Sequence, residues 1–175
     1  MPSVRKFALH YDVLNGQGTF SEGDTITGNV RLSLERPTRV MCVAVKVKGD
    51  ADVQWTERAG NEDKCYSEHK RFFGFKKHLI PEKSKDTLLS EGTHRYNFRF
   101  QIPPGNLPSS FQGKHGKIVY LLEAKLSRSW KMDRKVIKEL KFVSKSIPNI
   151  RPLMLSSKQF PPLEKWRLRP KANTY

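Results

Sequence analysis

Cysteine is scarce in this chain: two residues, Cys42 and Cys65, among 175. Two thiols do not make the disulfide framework of a small secreted fold, so stability has to come from a packed core. Long apolar runs are absent as well. No stretch approaches the roughly 18 consecutive apolar residues that span a bilayer as a helix, and the N-terminus lacks the apolar segment of a secretory signal. These shortages read as a reducing, cytoplasmic setting. Acidic residues are the third shortage, with 17 Asp and Glu against 33 Lys and Arg and a formal charge of +16. That excess favours an anionic partner: a phosphorylated peptide, an acidic membrane face or nucleic acid.

Catalytic patterns are missing too. Gly105 and Gly113-Lys114 are spaced too widely for a phosphate loop, and His115 stands where Ser or Thr is required. Gly16-Gln17-Gly18 lacks the third glycine and the helix of a dinucleotide fingerprint. No nucleophile elbow or paired-histidine metal motif occurs. Cys65, His69 and His78 match no standard zinc spacing and lack a fourth ligand. The chain is therefore read as non-catalytic, with no cofactor and no metal. Arg71-Phe72-Phe73-Gly74-Phe75 interleaves cations and aromatics as an RNA-reading strand does, but Phe72 occupies a glycine position and the flanking helices are missing. Nucleic acid is therefore not the expected partner.

What the chain does have is strands. Phe7, Leu9, Tyr11 and Val13 alternate with polar residues. Ile26, Gly28, Val30, Leu32 and Leu34 point one way, opposite Thr25, Thr27, Asn29, Arg31 and Ser33. Residues 39–48 are apolar on both faces, as in a central strand. A short strand at 51–55 and a polar loop over 57–64 are expected next, then an extended aromatic stretch at 66–80 and a charged loop at 81–86. Tyr96, Phe98, Phe100 and Ile102 form a further row, as do Ile118, Tyr120, Leu122, Ala124 and Leu126. The last strand is read at 136–143. Seven or eight strands separated by turn signals, without a helical period, predict an all-β sandwich.

The stretch from Ile102 to Tyr120 is too long and too rich in Pro and Gly for a hairpin, so it is read as a crossing between sheets. Leu107 and Phe111 are its apolar residues and are expected to pin it to the end of the core.

That stretch, LP-S-SF-x-G-x-x-G-x-I-x-Y, carries Pro104, Gly105, Leu107, Pro108, Phe111, Gly113, Gly116 and Tyr120. It resembles the signature late in the amino-terminal domain of arrestins, specifically the arrestin-domain-containing or alpha-arrestin proteins. Segments 7–34, 49–57 and 87–103 agree with it in the same order. The resemblance spans about residues 4–148 and implies an arrestin-type, immunoglobulin-like sandwich of antiparallel strands at 1–148. Residues 149–175 are then a basic, Pro-bearing tail, because too little chain follows Pro148 for the second sandwich of that family.

The resemblance further implies an adaptor that recognises cytoplasmic parts of membrane receptors or transporters, including phosphorylated tails, in endocytic trafficking, ubiquitination and signalling. Recruitment to plasma membrane and endosomes goes with that role. Ligases of the HECT type are recruited in the family through PPxY motifs. Pro161-Pro162-Leu163-Glu164 has Glu in place of Tyr, so that partner is not expected from these residues. A basic pair before the first strand contributes to anion capture in the family, and Arg5-Lys6 holds that place here. From the residues alone, Lys70, Arg71, Lys76 and Lys77 form a second basic cluster. An alternative reading gives the same charge a general role on acidic membranes or nucleic acid. The tail, with Phe160, Leu163 and Trp166 among its cations, is open to a membrane-surface role or to simple solvation.

Overall fold

The computed structural model describes residues 3–60, 62–81 and 86–145. The tail from 149 onward and most of the charged loop after Pro81 lie outside the described residues. Eleven strands run along the chain: β1 (Val4–Tyr11), β2 (Thr19–Phe20), β3 (Thr25–Leu34), β4 (Thr38–Val40), β5 (Cys42–Ala59), β6 (Glu62–Ile80), β7 (Thr87–Leu89), β8 (Gly92–Gln101), β9 (Phe111–Gln112), β10 (Gly116–Arg128) and β11 (Lys131–Phe142). No helix among the described residues is long and apolar enough to cross a membrane.

Two sheets form the sandwich. One is ordered β1-β3-β8, the other β2-β11-β10-β5-β6, with β9 added to β10; β4 and β7 pair as a small third sheet. The alternation read in the sequence decides which rows meet. Ile26, Val30, Leu32, Phe98 and Phe100 on the first sheet share one buried cluster with Val43, Val45, Val47, Leu122 and Leu126 on the second. Removing these side chains from water is the main favourable term in folding, at about 25 cal/mol per Å² of apolar surface.

Several expectations change in detail. The strands outnumber the seven or eight expected because β2, β4, β7 and β9 are only two or three residues long, and β2 joins β11 in parallel. Val13 falls beyond the first strand and is 59% exposed. The chain turns there because the Asn15 side-chain oxygen accepts hydrogen bonds from the Gln17 and Thr19 amides. The polar loop expected over 57–64 is instead the end of a long ribbon. β5 and β6 stay paired out to Ala59 and Glu62, with Gly60 at φ 69° in the turn. Trp55 stacks on Tyr66 at 5.2 Å, and opposite charges face across the ribbon at Glu57–Lys64 and Arg58–Asp63. Those pairs give a solvated ribbon a reason to persist.

The crossing from β8 to β10 does join the two sheets, and its signature residues have visible tasks. Leu107 packs against the core. The Pro108 carbonyl accepts a 2.6 Å hydrogen bond from the buried Tyr120 hydroxyl. Ser110 exchanges hydrogen bonds with the Phe142 backbone, and the Ser109 hydroxyl accepts from the Ser144 amide. Phe111 does not pin the crossing to the core. It is 59% exposed, and its ring covers Gly113 in the β9–β10 turn. Gly49 makes room for Tyr120: a Cβ there would lie 2.6 Å from the Tyr120 ring and 3.1 Å from Phe73.

Candidate anion-binding margin

The six basic residues singled out in the sequence fall into two groups. Arg5 and Lys6 are on β1, at one edge of the three-stranded sheet; Lys70, Arg71, Lys76 and Lys77 are on β6, at one edge of the larger sheet. β1 lies against β11, whereas β6 lies against β8. The two groups therefore occupy opposite edges of the sandwich and do not form one field.

The β6 group is partly occupied within the molecule. Asp50 is buried, and Arg71 grips it with Nε at 2.7 Å and a terminal nitrogen at 3.4 Å, while Lys48 Nζ approaches to 2.8 Å. Burial by itself would raise the Asp50 pKa, but the hydrogen bonds from Arg71 and then Lys48 bring it below the ordinary carboxylate value. His69 bonds Asp52 at 2.6 Å. Lys70 leans over the Phe72 ring at 5.7 Å. Phe73 is buried against Tyr120, so the aromatic run at 72–75 is mostly packing. Lys76 faces Lys46 across the ladder, and Lys77 faces Val45.

The β1 group is different. A β-bulge between Val4 and Lys6 leaves both Arg5 and Lys6 exposed. Register then builds a cationic face outward from Lys6. Ala8 sits opposite Arg31 on β3, and Arg31 opposite Arg95 on β8. His10, on the same face as Lys6, has a lowered pKa through partial desolvation and then the fields of Arg31, Lys138, Lys6 and Arg95. Lys138 reaches over from β11 and sits 5.5 Å from the Tyr11 ring, and Arg134 donates to the Val4 carbonyl at 3.2 Å. Among the described residues no carboxylate pairs with Lys6, Arg31, Arg95 or Lys138. Concentrated, unneutralised charge of one sign beside a strand edge can hold an anion and orient an extended peptide.

Sequence reasoning found Arg5 and Lys6 but missed His10, Arg31, Arg95 and Lys138 as their companions. Arg31 and Arg95 already stood on the outward rows of their strands. Only the pairing of β3 with β8, which the sequence does not state, brings them side by side.

A groove of about 1100 Å³ opens where the β5–β6 ribbon passes the β9–β10 turn, lined by residues that include Val53, Trp55, His69, Lys114, His115 and Lys117. Cys42 is buried on β5, and Cys65 is exposed on β6.

Comparison with known proteins places this arrangement. Residues 7–149 match the family model described as "Arrestin (or S-antigen), N-terminal domain". Arrestin domain-containing protein 4 of Mus musculus is 32% identical over 146 residues, covering 79% of this chain and 35% of the mouse protein. Arrestin domain-containing protein 17 of Caenorhabditis elegans is 30% identical over 142 residues, covering 76% of this chain and 33% of the worm protein. The chain thus spans about a third of the length of these relatives. Among solved structures, the sporulation control protein Spo0M from Bacillus subtilis aligns with a TM-score of 0.52 at 10% identity, over 81% of this chain and 50% of that one, which is a likeness of fold alone. With a family match over most of its length and relatives at this identity, the chain belongs to the arrestin family, among the non-catalytic arrestin domain-containing proteins.

Proposed function

We propose that this domain is a cargo-recognition module of an adaptor, binding cytoplasmic segments of membrane receptors or transporters along the margin where β1 meets β11. The observation that carries the reading is the pairing that sets Arg31 between Ala8 and Arg95 on the face of Lys6 and His10, with Lys138 reaching to Tyr11 from β11. Unpaired cations at such density recruit phosphate or clustered carboxylates, Arg by bidentate contact and Lys as a point charge. β1 pairs only with β3 among the described residues, so its second edge supports an extended peptide by main-chain hydrogen bonds. Family membership supports an adaptor role in general. Endocytic trafficking and signalling at plasma membrane and endosomes are the setting this reading gives it. Recruitment of a HECT-type ligase is not assigned to this chain, since its sequence has no PPxY motif.

The test is fluorescence anisotropy at physiological salt with three peptides: a phosphorylated receptor tail, its unphosphorylated twin and a charge-matched scramble. Preference for the ordered phosphopeptide, lost on Lys6→Glu and Arg31→Glu but kept on Lys76→Glu, supports the reading. Equal binding of the scramble, with affinity falling steeply in salt, reduces the margin to general polyanion attraction and favours the membrane or nucleic-acid alternative.

A further inference from the structure

A smaller cleft, sharing no lining residue with the β1–β11 margin just described, has features that folding does not explain. The loop after β3 and the strand β4 supply Arg36, Pro37, Thr38 and Arg39. The turn between β10 and β11 supplies Arg128, Ser129 and Lys131, and Ser3 and Asp86 complete a cleft of about 260 Å³. Among the described residues, two buried side-chain polar atoms have no hydrogen-bond partner, Ser3 Oγ and Arg128 Nε, and both belong to residues that line it. Ser3 is only 4% exposed. Native chains rarely leave buried donors unpaired, and the exceptions mark places where something else fills the valence. The charge agrees. Arg39, Arg128 and Lys131 face the Asp86 carboxylate, which is already engaged by the Ser129 hydroxyl. Desolvation, and then the field of Arg134, disfavour the charged form of Arg128, a tension that a bound anion would relieve.

The surroundings say where the anion comes from. Trp130, at the tip of the turn between two residues lining the cleft, is 102% exposed and adopts φ 57°, a left-handed conformation uncommon for a bulky side chain. Met132 is 90% exposed, and Leu88, the ladder partner of Arg39, is 60% exposed. A phosphopeptide or free phosphate has no use for a fully solvated indole beside its site. A lipid surface does, because tryptophan settles at headgroup depth and cations pair with the phosphates there. We propose that the cleft holds the phosphate of an anionic phospholipid headgroup, with Trp130 and Met132 entering the bilayer interface beside it.

The experiment uses the full chain and vesicles of phosphatidylcholine, with or without about a quarter phosphatidylserine. Partition is read by sedimentation, and tryptophan depth by quenching from brominated acyl chains. The expected result is binding to the acidic vesicles, with quenching retained when Trp55 and Trp166 are replaced by Phe so that Trp130 is the one indole, and with partition weakened by Trp130→Asn, a replacement suited to the left-handed turn. Arg39→Gln should weaken partition about fivefold, the usual effect of one cation at an acidic leaflet, and more than Lys76→Gln on β6 does. Arg39 and Trp130 are exposed, so both variants keep the core; Arg128→Gln is the more direct change but touches a partly buried group. Absence of quenching when Trp130 is the one indole, or equal losses from Arg39→Gln and Lys76→Gln, overturns the proposal. So does binding of inorganic phosphate or of a phosphopeptide that depends on Arg39 while the vesicles stay unbound.

Discussion

Replacing Tyr120 by Phe removes a single oxygen from the interior and leaves the ring in place. That ring stacks on Phe142 at 4.3 Å and contacts Phe73 at 5.9 Å, and the phenyl group retains both contacts. No cavity opens. What goes is the 2.6 Å hydrogen bond to the Pro108 carbonyl, which ties the crossing connection to β10. A neutral hydrogen bond contributes about 0.5–1.5 kcal/mol, and a dry unpaired acceptor costs about 1–3 kcal/mol. Pro108 is half-buried, so water reaches part of its environment. The expected loss is about 1–1.5 kcal/mol, or about 2–6 °C in Tm for a domain of this size. Urea unfolding should show a lower midpoint with an unchanged slope. Ionisation reports separately on the burial of the same hydroxyl. Burial and then Glu22 push the Tyr120 pKa above the ordinary tyrosine value, so the folded state favours the neutral phenol. That contribution is complete below the unfolded value and is lost as pH rises through the folded one. The wild type should therefore show an alkaline decline in stability that Tyr120→Phe lacks. A loss below about 0.3 kcal/mol would refute the view that this hydroxyl fastens the crossing, and identical alkaline slopes would refute the view that its burial disfavours the phenolate.

Three further outcomes follow from the same geometry. Gly49→Ala should cost about 1–3 kcal/mol in urea unfolding, because its methyl meets the Tyr120 ring at 2.6 Å; the cost should shrink in a Tyr120→Leu background. Asp50 has a lowered pKa, so its contribution is present above the ordinary carboxylate range and fades as pH falls through the folded value. Asp50→Asn should accordingly flatten the acid limb of a stability-against-pH curve, as followed by circular dichroism. NMR titration should place the His10 pKa below 6.5, and a bound phosphopeptide should move it upward by offsetting Arg31, Lys138, Lys6 and Arg95. The same peptide should then bind more tightly as pH drops toward the His10 value, and an unchanged His10 titration would remove the peptide from this margin.

Much of the sandwich was legible because β3, β8 and β10 each bury one face. Their alternation is a one-dimensional signal of a two-dimensional choice, and Leu32, Phe98 and Leu122 could only have pointed inward. The ribbon beyond Val53 was not legible. Neither face of its far end meets the core, so Glu57, Arg58, Asp63 and Lys64 carry no apolar period and look like loop. Phe111 misled for the opposite reason, an apolar residue spent on covering a glycine turn outside the core. At the β1 margin, Arg5 and Lys6 stood out as neighbours in sequence, whereas Arg31, Arg95 and Lys138 are neighbours only through pairing and sheet packing.

The free edge of β6 gives its cations another significance. Nineteen residues of strand pair on one side only among the described residues, a length that invites a second chain to add itself by backbone hydrogen bonds. Lys64, Lys70, Lys76 and Lys77 lie along that strand and outnumber Glu62, Asp63 and Glu68, while Arg71 is paired with Asp50. Two copies approaching edge to edge would bring like charges together at ladder spacing, and the repulsion acts over the Debye length, about 10 Å at 0.1 M salt. The basic composition thus works as colloidal protection for an otherwise adhesive border. Concentrated salt or charge-neutralising acetylation of these lysines removes the barrier, and self-association should then begin along this strand before the core is disturbed.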